Sequence, residues 1–233
     1  MIANQIAAML ALQGRMNSKV NPAWQSAGYA WLRAVVIEGG EAMEHYGWKW
    51  WKKQTPDLEQ FKIELVDIWH FALSHTLCTT PDAAGAIMAE INSPQRHITL
   101  DNKIWDLDDE EQPMLSKIDL LIGMAAVGRF SVSVFQSIMD ECGMTWDDLY
   151  TGYVAKNVLN FFRQDHGYKS GEYIKDWHGQ EDNAHLSRIV GLLDSASPTF
   201  DSELYNMLGL EYSKVLLAHG RAADAELVMF RPV

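Results

Sequence analysis

Apolar residues return at intervals of three and four along almost the whole of this 233-residue chain, and that rhythm favours helices nearly throughout. The spacing predicts helices over about 2–16, 22–46, 57–79, 82–92, 114–140, 145–163, 181–194 and 200–219. Asn21-Pro22, Thr55-Pro56-Asp57, Thr80-Pro81-Asp82 and Thr145 supply start signals, because their side chains can accept the orphan amide hydrogens of a first turn. Strand-like alternation is scarce, and Glu226 to Val233 is the one run that reads as a strand. No internal repeat is visible. Ser93 to Pro113 has weak periodicity and the acidic cluster Asp106, Asp108, Asp109, Glu110 and Glu111, and reads as a solvated loop. The expected fold is a single all-α domain over residues 1–233. Its rigid part is about 1–84 and 126–233, and a mobile helical insertion over about 85–125 closes as a lid.

With 48% hydrophobic residues the chain has material for a core, which excludes wholesale disorder. Its formal net charge of −12 argues against non-specific binding to duplex nucleic acid or to an anionic membrane. Cys78 and Cys142 are too few for a disulfide scaffold, and both fall in apolar helical patterns, so buried free thiols in a reducing cytoplasm are expected. No run of about 18 apolar residues marks a membrane span. The apolar start, Met1 to Leu12, lacks a basic leader and a cleavage site and is expected to be an ordinary first helix.

The stripe that should be a core contains acids. On helix 22–46, Ala27, Ala30, Trp31, Ala34 and Val35 set an inward face, and its continuation reaches Glu38, Glu41, Ala42 and His45. On helix 57–79, Phe61, Leu65, Ile68, Phe71 and Ala72 face inward, and Glu64 and Asp67 fall within the same arc. Two ionised carboxylates about 4 Å apart repel by roughly 4 kcal/mol at an effective dielectric near 20. Four of them converging between helices require protons or cations. An all-oxygen set with no cysteine and no paired histidines favours a hard ion, Mg²⁺ or Mn²⁺. Glu44 lies off the stripe and is expected in solvent, while His45 and His70 are expected beside the ligands or in the core.

A second segment is basic and glycine-bearing. Lys156, Asn157, Asn160 and Arg163 share one arc of a helical wheel, and Gly167-Tyr168-Lys169-Ser170-Gly171 follows as a loop. Residues 156–175 and 49–53 together hold seven of the nineteen basic side chains, which suits a small polyanion; a solvated helix end is the alternative. Gly123-x4-Gly128-Arg129-Phe130 resembles a phosphate loop but lacks its Lys-Ser/Thr ending, so those glycines are read as close helix packing.

Glu38-x-x-Glu41, the Trp48-Lys49-Trp50-Trp51-Lys52 run, the Glu64 to Phe71 run and the Lys156 to Lys169 segment closely resemble the dimeric all-α dUTP diphosphatases, a branch of the all-α nucleoside triphosphate pyrophosphohydrolases. The resemblance covers about residues 10–80 and 145–180. It implies a homodimer of the all-α pyrophosphatase fold that cleaves dUTP to dUMP and pyrophosphate by a metal-activated water, with Mg²⁺ and attack on the β-phosphorus, and that also accepts dUDP. It implies that Glu38, Glu41, Glu64 and Asp67 hold metal, with Glu38 also orienting the water. It gives Lys156, Asn160, Arg163, Tyr168 and Lys169 to the phosphates. Gln13, Asn17 and Trp50 go to the uracil, and Phe71 packs on the deoxyribose. Side-chain amides can donate or accept, so Gln13 and Asn17 do not decide between uracil and cytosine.

Three other readings stand beside this one. The first keeps the chemistry and changes the substrate: a dCTP/dUTP or broader nucleoside triphosphate pyrophosphohydrolase. A ferritin-like di-iron bundle needs Glu-x-x-His on two helices, approximated here once, by Asp67-x-x-His70. A non-catalytic helical interaction module leaves the inward acids unexplained.

Overall fold

The computed structural model describes residues 2–109, 113–195, 197 and 199–229. These are mostly helical, at 67%. They form two compact units, Met1–Tyr153 and Val154–Val233, with the division inside one helix.

The first unit contains α1 (Ile2–Val20), α2 (Trp31–Tyr46), α3 (Leu58–Thr79) and α4 (Ala83–Asn92). A hairpin of β1 (His97–Leu100) and β2 (Lys103–Asp106) follows, then α5 (Met114–Ala126), α6 (Val132–Glu141) and the first part of α7 (Trp146–Asp165). Phe61, Leu65, Ile68 and Ala72 lie one or two turns apart on α3 and are all essentially buried. Phe61, Leu65 and Ile68 each contribute about 1.5–3 kcal/mol by leaving water. Caps fix the starts: Asp57 accepts from the Gln60 amide at 3.1 Å and Asp82 from the Gly85 amide at 2.9 Å. At the head of α7, Thr145 and Asp148 bond reciprocally, Asp148 N to Thr145 Oγ1 at 3.1 Å and Thr145 N to Asp148 Oδ2 at 2.9 Å.

Several expectations need correction. Helix 22–46 begins only at Trp31, because Gly28 takes φ +66° after a 3-10 turn at Trp24–Ser26; Ala27 and Ala30 are consequently exposed. The run 114–140 is two helices, since Gly128 at φ +84° ends α5 and Ser131 caps α6. Gly123 is a packing glycine, 3.1 Å from Leu100 Cδ2 at its would-be Cβ, but Gly128 is a terminator. Ser93 to Pro113 is not wholly loop: β1 and β2 pair antiparallel with Ile98 opposite Trp105, around Asp101 and Asn102 at φ 48° and 60°. Of its acidic cluster, Glu110 and Glu111 lie outside the described residues. Within residues 85–125, which stand apart from these corrections, Ile87, Ile98, Ile118 and Leu121 lie in the same core as residues of α2 and α3. Cys142 is buried, but Cys78 is exposed.

The second unit holds the rest of α7, a short β3 (Asp176–Trp177) and β4 (Gln180–Glu181) hairpin, α8 (Asp182–Val190), α9 (Phe200–Ala218) and α10 (Ala222–Met229). Its core is aromatic: Tyr173 stacks on Tyr212 at 5.0 Å, and Phe162 meets Tyr212 edge-on at 5.6 Å. The expected strand from Glu226 fails, because Glu226 to Met229 close α10; residues 230–233 lie outside the described residues. Its short apolar run does not distinguish helix from strand by periodicity alone. Among the described residues no helix is long and apolar enough to cross a membrane.

Candidate active site

Helices α2 and α3 pack on one another, and their acids meet. One carboxylate oxygen from each of Glu38, Glu41 and Glu64 lies within 4.8 Å of the other two. Glu64 is buried, Glu38 half-buried and Glu41 exposed, so the cluster runs from the interior to the surface. Asp67 is half-buried one turn along α3 and falls outside that group of three. At this separation each pair of ionised acids repels by roughly 3–4 kcal/mol at an effective dielectric near 20. His45 Nε2 is 3.4 Å from Glu64 Oε1, so this histidine stands beside the acids. Glu44 points away and is exposed, where it accepts from Trp48 Nε1 at 2.6 Å and from the Lys49 ammonium; these two bonds, Lys49 first, pull its pKa below the usual carboxylate range.

Between Glu38 and Glu41, α2 carries Gly39 and Gly40. A Cβ on Gly39 would lie 2.7 Å from Ile122 Cγ1 of α5, so the close seating of α2 on α5 depends on its absence.

The two amides expected to address a base are buried, not a solvated helix end: Gln13 is 5% exposed and Asn17 is 7% exposed. Gln13 Nε2 donates to Asn17 Oδ1 at 3.0 Å and to Ser74 Oγ at 2.9 Å. Asn17 Nδ2 donates to the same Ser74 Oγ at 3.0 Å, and the Tyr153 hydroxyl lies 2.7 Å from Gln13 Oε1. His70 belongs to this group, its ring stacked on Tyr153 at 4.1 Å and its Nδ1 2.9 Å from the Val66 carbonyl. The sequence reading missed Ser74 and Tyr153. The signal for Ser74 was a hydroxyl on the inward stripe of α3, seven residues after Asp67. Phe71 is half-buried against the first unit's core, while Trp50 is 90% exposed and meets Trp51 edge-on at 5.4 Å.

In the second unit the basic residues divide. Lys156 is buried and donates to Asn183 Oδ1 at 3.0 Å. Arg163 is buried too, and donates from Nε and Nη2 to the two oxygens of Asp182 at 2.8 and 2.7 Å and from Nη1 to Asn160 Oδ1 at 3.1 Å. Burial works against the guanidinium's charge, but the bonds to Asp182 outweigh it, so its pKa is held above the ordinary value. Asp182 is fully buried and also takes the Tyr173 hydroxyl at 2.8 Å. Burial first, then Asp182, pushes that phenol's pKa far up. Tyr168, with its ring centre 5.6 Å from the Arg163 guanidinium carbon, and Lys169 are exposed. Asn157 is buried with no hydrogen-bond partner at Nδ2, which leaves a donor available. Asp182 was invisible in the sequence, since nothing marks one acid at a helix start as an arginine's partner.

A family model described as dUTPase matches residues 5–168. The chain belongs to the dUTPase family. It is thus a nucleoside triphosphate diphosphatase, and its substrate class is the nucleotide. No curated protein matches the chain. The matched span contains every site residue expected of a dUTPase except Lys169, which follows it directly; Asp182 lies beyond it. His70, the histidine of the Asp67-x-x-His70 run, stacks on Tyr153 in this dUTPase.

Proposed function

We propose that the enzyme hydrolyses dUTP to dUMP and pyrophosphate in a Mg²⁺-dependent reaction, with Mn²⁺ as a substitute, and accepts dUDP by the same cleavage. The observation that carries the proposal is the convergence of Glu38, Glu41 and Glu64 within 4.8 Å. Three hard oxygen ligands crowded at a helix–helix seam fit a small divalent cation. Glu38, Glu41 and Glu64 would hold it, with Asp67 one turn further along α3. Bound there, the ion would neutralise phosphate charge and acidify a water.

The protein's own groups do the rest. Glu38 orients the water that attacks the β-phosphorus; the new bond is from that oxygen to phosphorus, and the bridging oxygen leaves on the α-phosphate as dUMP. Gln13 and Asn17 bond the base edge, Phe71 packs on the sugar and Trp50 covers the base. Lys156, Asn160, Tyr168 and Lys169 take phosphate charge, and Arg163 does so from its seat on Asp182. A homodimer in the cytoplasm is part of the same proposal.

The test is a panel of purified nucleotides with and without Mg²⁺, read as pyrophosphate release. We expect dUTP turnover that needs the ion and falls at least about 100-fold in Glu38→Gln and in Glu64→Gln. Full activity in both variants overturns the site. Comparable turnover of dATP and dUTP favours the broader pyrophosphohydrolase.

A further inference from the structure

Ser74 Oγ lies 3.0 Å from the carbonyl oxygen of His70, one turn earlier on α3. A carbonyl only accepts, so the single hydroxyl hydrogen goes there. Toward Gln13 Nε2 and Asn17 Nδ2 the same oxygen can then only accept. Both amides are thereby turned with their NH₂ groups on Ser74. Rotating Gln13 by half a turn would set its Oε1 against Ser74 Oγ and Asn17 Oδ1, oxygens with no hydrogen between them. Rotating Asn17 would set Oδ1 against Ser74 Oγ and bring two NH₂ groups together. The Tyr153 hydroxyl reaches both Gln13 Oε1, at 2.7 Å, and the Met9 carbonyl, at 3.0 Å, and the shorter contact is the one to Gln13. Ser74 and Tyr153 are fully buried, so water does not compete for these bonds.

We infer that Ser74, backed by Tyr153, is the positioning residue that sets which pyrimidine the Gln13–Asn17 pair accepts; this rests on the proposed place of those two amides at the base edge. Uracil has a donor at N3 and an acceptor at O4, where cytosine has an acceptor at N3 and a donor at N4. An amide free to turn over pairs with either base. An amide held one way pairs with one and leaves the other with facing donors or facing acceptors. Sites that bond a polar edge in this manner can reject the mismatched partner by about 10⁴–10⁵-fold. Beyond these bonds Gln13 keeps one Oε1 lone pair, and Asn17 keeps one Nδ2 hydrogen and one Oδ1 lone pair, all at positions Ser74 dictates.

The experiment measures kcat/KM for dUTP and dCTP in the wild type, Ser74→Ala and Tyr153→Phe, with folding followed by thermal denaturation. In Ser74→Ala we expect the dUTP/dCTP ratio to move at least about tenfold toward one, through a KM for dCTP that falls while that for dUTP rises. Tyr153→Phe keeps the His70 stack and is expected to shift the ratio the same way by less. A purely structural role would slow both nucleotides alike. A folded Ser74→Ala with the wild-type ratio overturns the inference; if that variant does not fold, an unchanged ratio in Tyr153→Phe does so. A wild type that cleaves both nucleotides equally also overturns it, while leaving the diphosphatase activity in place. A wild type that cleaves neither overturns the proposed function and this inference with it.

Discussion

The two units handle charge in opposite ways. In the first, Glu38, Glu41 and Glu64 are gathered against one another. In the second, Arg163 is gathered onto Asp182, with Asn160 accepting from the guanidinium and the Tyr173 hydroxyl donating to Asp182. Like charges crowded together raise the energy of the folded chain and are relieved by something brought from outside. Opposite charges paired in the interior are self-contained, and their loss is felt as lost stability. The contrast teaches that a buried arginine in a phosphate-binding pattern can be a structural member as much as a ligand contact.

Removing one partner of the buried pair should have the largest effect. Asp182→Ala leaves the guanidinium without its counter-charge and is expected to cost about 3–5 kcal/mol in urea unfolding. A cost below about 1 kcal/mol would break the comparison. Glu41→Gln should act in the opposite sense. Without divalent ions, removing one of three mutually repelling charges is expected to raise stability by about 1 kcal/mol. Saturating Mg²⁺ should shrink or reverse that gain, because ligand binding stabilises the wild type more. Urea midpoints in chelator and in Mg²⁺ check both statements. The smallest effect lies away from either cluster. Partial burial raises the pKa of Asp119 on α5. A carboxyl whose folded pKa exceeds its unfolded one loses stability as pH rises from the ordinary carboxylate range through the raised value. Asp119→Asn should therefore raise the unfolding midpoint slightly at pH 7 and leave it unchanged below the ordinary carboxylate range. Because the group is largely exposed, solvent screens most of this effect.

What could be read from the sequence was what repeats locally. Helices α3 and α4 announced themselves through spacing and Asp caps. The same arithmetic placed Glu38 and Glu64 at the α2–α3 seam, but it also placed Glu41 inward, where the structure leaves it exposed. The hairpin at 97–106 was hidden because its strands are four residues each and its turn is Asp-Asn, residues that tolerate positive φ without advertising it as glycine does. The delayed start of α2 was legible in Gly28 but outweighed by the apolar rhythm. Ser74, Tyr153 and Asp182 were out of reach for another reason. Their partners lie 61, 140 and 19 residues away in sequence, and only tertiary packing decides which polar groups meet.

The adjacent glycines of α2 show how finely that packing discriminates. Nothing approaches within 4 Å of where a Cβ on Gly40 would sit, whereas Ile122 fills the same place at Gly39. A methyl group at residue 40 would stiffen the backbone and favour the helix by about 1 kcal/mol. The identical addition next door would prise α2 from α5 and carry the flanking acids with it. The alignment of the carboxylate rung is therefore governed from behind, by a residue that carries no side chain of its own.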